Sequence, residues 1–306
     1  MFAAAQLIIK VKEPQAAECR LLREDHILFT YLHLAADPEQ ASALRASGCT
    51  AIAYETVTDP YGALPLLAPM SEVAGRLSIE AAGSALRSYT GGRGLLLGGV
   101  PGVQPARVII LGGGVVGTNA ARMAVGLGAE VTIVDRSVPR LRFLDDLFKG
   151  RVRTITATVD NVERELGSAD VVIGAALVPG ATAPKLVDYD MLGTLERGTV
   201  LVDVSIDQGG CFSTSRATTH EQPTYEIDGV IHYCVVNMPG AVPRTSSYAL
   251  VNATLPFGLA LARDGIAAAR KNPHLKAGVN VHRGNITCQA VADSLGSTFT
   301  PFAPGS

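Results

Sequence analysis

The chain has 306 residues, 47% hydrophobic and only 18% charged, which excludes a disordered chain because so much apolar surface can build a core. Twenty-six Lys and Arg against 28 Asp and Glu leave a net charge of −2, so no basic field exists to attract nucleic acid or acidic lipid. Frequent glycine (32), absent Trp and an apolar mass dominated by Ala, Val, Leu and Ile favour α/β layering. The cysteines, Cys19, Cys49, Cys211, Cys234 and Cys288, are odd in number and form no CxxC pair. That argues against a disulfide framework or a zinc site and for reduced thiols in the cytoplasm. Residues 1–6 are apolar without a basic region, and Lys10 and Lys12 interrupt the apolar stretch, so no signal peptide is expected. No apolar run approaches the roughly 18–20 residues that span a bilayer.

In chain order, residues 7–11, 27–32 and 51–54 read as buried strands with helical patterns between them, such as 38–47. Pro65 and Pro69 break that rhythm, and residues 71–87 predict a long helix with Ser71 as its N-cap. A Gly-rich connection, 91–102, comes next. Strand-like runs then recur at 108–111, 131–134, 152–156, 170–173, 200–204 and 233–236, separated by helices and turns. This predicts a Rossmann-type doubly wound parallel sheet. Residues 246–269 predict a closing helix kinked at Pro256. The resulting expectation is an α/β protein with a dinucleotide-binding domain at 66–243 and a discontinuous second domain at 1–65 and 244–306.

Residues 107–117, RVIILGGGVVG, hold a GxGxxG spacing through Gly112, Gly114 and Gly117, between a buried strand and a helical pattern. Gly112 permits the tight turn, Gly114 lets a pyrophosphate approach, and Gly117 lets the helix pack close to the strand. The helix N-terminus adds N–H donors for phosphate. A lone GxGxxG also suits a plain βα turn, but here Asp135 ends the next strand, near the offset where a carboxylate meets the adenosine ribose. That carboxylate favours NAD over NADP, with Arg136 beside it as a softening charge.

Residues 10–14 (KVKEP), 28–36 (LFTYLHLAA), 53–56 (AYET), 67–76 (LAPMSEVAGR), 98–102 (GGVPG), 203–210 (DVSIDQGG) and 236–239 (VNMP) together resemble the alanine dehydrogenase family. That family also holds the NAD-binding subunit of proton-translocating transhydrogenase. The resemblance implies reversible NAD-linked conversion of L-alanine and water to pyruvate and ammonium. It makes Lys12 the cation on the substrate carboxyl or carbonyl oxygen, and His33 the acid/base or substrate-oxygen partner. Asp207 becomes the second catalytic group, and Asn237 a partner of substrate or of the cofactor carboxamide. The implied cofactor shell is Ser71, Gly112, Gly114, Gly117, Asp135, Arg140, Ala176, Leu177, Asp207, Arg216, Asn237 and Met238, with no metal. Without the resemblance, Lys12 reads as a solvated lysine and His33 as a satisfied core histidine. Asp207 then reads as an Asp before a glycine turn. Asp203, inside its strand, competes with Asp207 and ranks as a structural group. The implied assembly is a homo-oligomer, a hexamer in the family, with no membrane partner.

Chains of that family begin about two βα units earlier, each βαβ being on the order of 30 residues. They carry there an arginine that clamps the substrate carboxylate, a contact worth about 1.5–3 kcal/mol. No residue here matches it, so the sequence predicts an N-terminally truncated substrate domain, weakened turnover and intact NAD binding. Two other readings stay open at this point: a non-catalytic NAD-binding remnant, and a transhydrogenase-like subunit.

Overall fold

The computed structural model describes residues 1–176 and 182–303. Its strands are β1 (Leu7–Ile9), β2 (Ile27–Thr30), β3 (Thr50–Ala53), β4 (Arg107–Leu111), β5 (Glu130–Asp135), β6 (Arg153–Thr156), β7 (Val171–Gly174), β8 (Val200–Asp203), β9 (Thr224–Ile227), β10 (Val230–Tyr233), β11 (Val279–His282) and β12 (Asn285–Ile286). The helices that matter here are α1 (Pro38–Ser47), α2 (Ala68–Ala85), α3 (Val115–Gly126), α4 (Val138–Phe148) and α5 (Pro243–Asp264).

Two compact units divide the chain: Met1–Pro69 with Val178–Thr182 and Ser247–Ser306, and Met70–Leu177 with Ala183–Ser246. The crossings at 69/70 and 246/247 fall inside helices, α2 and α5, whereas composition suggests 65/66 and 243/244.

The first unit holds a sheet in the order β1-β2-β3-β11-β12. β1, β2 and β3 run parallel, in the register Leu7↔Ile27 and Phe29↔Ile52, and β11 returns antiparallel beside β3. Leu28, Phe29, Ala51 and Ile52 are fully buried. Such continuous apolar strands arise where helices cover both faces of a parallel sheet.

The second unit holds a seven-stranded sheet in the order β6-β5-β4-β7-β8-β10-β9. This is the doubly wound pattern, with its topological switch between β4 and β7. Val108, Ile110, Ile133, Val171, Ile173, Val200 and Val202 build the core of one face, against Ala120, Ala121 and Ala124 of α3.

Four expectations need correction. The helix predicted at 71–87 begins at Ala68. Pro69 lies in its first turn, where proline's fixed φ and missing N–H cost nothing, so Ser71 is the fourth helical residue and not the cap. The last strand lies at Val230–Tyr233, not 233–236, because an unpredicted hairpin with β9 sets its register. The signal was present: Asp228 and Gly229 both have positive φ, 50° and 85°, as a two-residue hairpin turn requires. The closing helix ends at Asp264 and resumes at Ala267–Lys271, broken at Gly265, where φ is 56°. The first strand stops at Ile9, although the bonds Lys10 N→Phe29 O and Tyr31 N→Val11 O carry the pairing two residues further.

Candidate functional sites in the two units

In the first unit, three chemical groups lie past the carboxyl ends of three adjacent parallel strands. Lys12 lies three residues past β1, His33 three past β2 and Glu55 two past β3. The carboxyl edge of a parallel sheet is where α/β proteins gather ligand-binding groups. Glu13 stands between the first two: its Oε1 is 3.6 Å from Lys12 Nζ and 3.6 Å from His33 Nε2. The expected pair Lys12 and His33 is therefore grouped around one carboxylate.

His33 adopts the left-handed conformation, φ 48°, which is uncommon outside glycine and concentrates at functional positions. Buried Glu55 holds it there. Its carboxylate accepts the backbone N–H of His33 at 2.6 Å and of Leu32 at 3.1 Å, and its Oε1 lies 3.9 Å from His33 Nδ1. The Tyr31 ring stacks parallel to the imidazole with centroids 5.8 Å apart. Burial, with Glu55 and Tyr54 nearby, pushes the Tyr31 phenol far up, so it stays neutral and donates to Leu66 O at 2.6 Å. Glu13 and Glu55 were not singled out from sequence. Glu13 sits in a charged stretch that reads as solvated, and Glu55 accepts backbone donors that no side-chain pattern advertises.

In the second unit, β4 runs straight into the glycine turn. Gly112 has φ 108°, and a Cβ there would meet Ala175 O at 2.6 Å. A Cβ on Gly117 would lie 1.9 Å from Gly112 O, so only glycine allows α3 this close to the turn. A Cβ on Gly114 would meet nothing within 4 Å. This glycine is thus spare in the protein's own packing and opens space at the N-terminus of α3, which the pyrophosphate of a dinucleotide fits.

Asp135, at the end of β5, accepts the backbone N–H of Gly113 at 2.7 Å and of Ser137 at 2.8 Å. Each of its oxygens keeps a further lone pair for ribose hydroxyls. Arg140, on α4, donates to Gly113 O at 2.6 Å and to Thr118 Oγ1 at 2.7 Å. It braces the turn from the side, and burial draws its pKa down against the pull of Asp135.

Beyond β7 and β8 lie the remaining expected residues. Ala176 O accepts the Ser205 hydroxyl; Leu177 lies outside the described residues. Asp207 sits in the one-turn 3-10 segment Ile206–Gln208, and its carboxylate accepts the Asn237 backbone N–H at 3.2 Å. Asn237 is itself left-handed, φ 57°. The expected pair Asp207 and Asn237 is therefore adjacent. The Met238 side chain is buried in the core, which leaves only its backbone to face a ligand. The Arg216 guanidinium lies 4.1 Å from the Tyr225 ring centroid. Asp203 is fully buried; burial pushes its carboxyl up, opposed by hydrogen bonds from Ser215, Phe212 and Cys211. It is a structural anchor, as its place inside the strand suggested.

Comparison with known proteins agrees with this chemistry. The family "Alanine dehydrogenase/PNT, N-terminal domain" matches residues 1–74, and "Alanine dehydrogenase/PNT, C-terminal domain" matches residues 78–289. The chain is 58% identical to the alanine dehydrogenase of Halomonas elongata over 98% of its own length and 81% of that relative. It is 52% identical to the alanine dehydrogenase of Bacillus subtilis, over 97% of the chain and 79% of the relative. A solved L-alanine dehydrogenase superposes with a TM-score of 0.89 at 50% identity, covering 96% of this chain and 81% of the other. A transhydrogenase from Sinorhizobium meliloti shares the fold, with a TM-score of 0.76 at 22% identity over 92% of this chain and 81% of its own. Likeness of this degree in sequence and in fold, across both units, means that the chain belongs to the alanine dehydrogenase/PNT family.

Proposed function

We infer that the chain is an NAD-dependent alanine dehydrogenase, interconverting L-alanine and water with pyruvate and ammonium. The observation that carries this reading is the 58% identity to an alanine dehydrogenase over 98% of the chain. Bound NAD supplies the acceptor for the α-hydride.

Every other task falls to the chain's own residues. Gly112, Gly114, Gly117, Asp135 and Arg140 hold the dinucleotide, with Ser71, Ala176, Leu177, Arg216 and the Met238 backbone completing its shell. Lys12 neutralises and orients the substrate carboxyl or carbonyl oxygen. His33 moves a proton at the substrate, a task that suits imidazole near neutral pH. Asp207 accepts the amine proton or activates the water that adds to the imine, and Asn237 bonds the carboxamide or the substrate. In this division of labour the first unit is the substrate domain and the second the cofactor domain.

The test is direct. The purified chain given L-alanine and NAD is expected to produce NADH and equimolar pyruvate, and no reaction in either direction would overturn the reading.

The same reading includes a homo-oligomer. Tyr248, Val251, Leu255 and Leu259 form a stripe at helical spacing on α5, each more than half exposed, which suits a second copy of the chain. Light scattering that finds only monomer would contradict it. Among the described residues no helix is long and apolar enough to cross a membrane. We place the protein in the cytoplasm because its five cysteines are all free and four are buried; recovery in another cell fraction would contradict that.

A further inference from the structure

The turn that carries Asp207 is poorly determined by its own sequence. Gly209 and Gly210 come after Asp207 at one residue's remove, both with positive φ, 88° and 74°. Glycine pairs give a chain the widest conformational freedom. Three local bonds close the turn, Gln208 N→Ser205 O, Gly209 N→Ile206 O and Gly210 N→Ser205 O. A reacting carboxylate must nonetheless be held within about 0.5 Å of its working place.

Two charged groups meet this turn from complementary sides. The Lys185 ammonium donates to Gly209 O at 2.7 Å, Gly210 O at 2.9 Å and Phe212 O at 3.1 Å. All three of its donors are used on backbone carbonyls of one loop, where an ordinary surface lysine is hydrated. The Asp203 carboxylate takes the backbone N–H groups of Ser205 at 3.0 Å, Cys211 at 2.8 Å and Phe212 at 3.3 Å, together with the Ser215 hydroxyl. A Cβ on Gly210 would lie 2.7 Å from Asp203 Oδ2, so the loop is pressed directly against its anchor. Hydrogen bonds to charged groups are about twice as strong as neutral ones, and here they reach both ends of the glycine pair.

We propose that Lys185 and Asp203 are positioning residues for the turn that presents Asp207, a cation holding the carbonyls of the glycine pair and an anion holding the N–H groups that flank the pair at Ser205, Cys211 and Phe212. Their effect on turnover rests on the alanine dehydrogenase reading; their effect on loop order does not. Neither touches substrate in this proposal. Both act through the turn and not on the Asp207 carboxylate itself, which accepts the Asn237 backbone N–H.

The experiment compares Lys185→Met, Lys185→Arg and Asp203→Asn with the parent chain in three measurements. Lys185→Met keeps the apolar stem and removes the ammonium. It is expected to lower kcat for alanine by about 100-fold, the cost of a misplaced reacting group, with much less change in KM. NADH affinity, set mainly by the glycine cradle and Asp135, falls far less than kcat. Amide hydrogen exchange at Gly209, Gly210, Cys211 and Phe212 accelerates while exchange in β4 and β5 does not. Lys185→Arg keeps charge and donors and restores part of the kcat loss. Asp203→Asn shows the same loop-specific exchange; if it fails to fold, the lysine variants decide alone. Parental kcat in Lys185→Met, or a loss of kcat without faster loop exchange, overturns the proposal, as does an equal loss of NADH binding. If the parent chain itself oxidises no alanine, the functional reading falls by that result, and the exchange rates still decide whether the clamp exists.

Discussion

Gly114→Ala is expected to fold as the parent does and to bind NADH about 10–100-fold more weakly. The added methyl meets nothing within 4 Å in the protein, so it costs no packing. It projects instead into the opening at the start of α3, where the backbone N–H groups would meet the diphosphate of bound NADH. Gly117→Ala is the opposite case. Its methyl would lie 1.9 Å from Gly112 O, a backbone atom that cannot move without displacing the turn. A loss of about 1–3 kcal/mol of stability is expected there, as for other overpacked sites. Thermal unfolding and an NADH fluorescence titration on both variants separate the two effects. Parental NADH affinity in Gly114→Ala would mean that the opening is not where the diphosphate lies.

His33→Asn is expected to lower alanine turnover by about 10²–10⁴-fold, the usual worth of a positioned acid/base group, and to leave NADH binding intact. Asparagine is chosen because it tolerates the left-handed conformation that His33 adopts, φ 48°. The variant therefore removes the imidazole while leaving the backbone bond to Glu55 in place. His33→Ala removes the same chemistry but adds about 1–2 kcal/mol of backbone strain. Equal turnover in the two variants, with lower stability in the alanine one, would show that the imidazole and not the loop shape carries the activity. Parental turnover in His33→Asn would remove His33 from the chemistry.

The two groups of proposed site residues were legible to different degrees. The glycine turn and Asp135 could be read without any relative, because each glycine answers a local steric demand and the βαβ rhythm fixes the spacing between turn and carboxylate. Lys12, His33 and Asp207 could not. Their local surroundings suit a solvated lysine, a core histidine and a turn aspartate equally well, and only the family resemblance raised them. The 228–229 hairpin was legible and went unread, which displaced the last strand by three residues.

By itself the sequence determined the α/β class, the doubly wound order and the dinucleotide turn. These rest on periodicity and on steric rules that act over a few neighbouring residues. Only the tertiary structure decided what stands around the proposed reacting groups. Glu13 is drawn between Lys12 and His33, Glu55 reaches back 22 residues to the His33 N–H, and Lys185 crosses 24 or more to the Asp207 turn. Their partners are mostly backbone groups, identical in every residue, so no side-chain pattern along the chain can reveal them until the fold has brought the segments together.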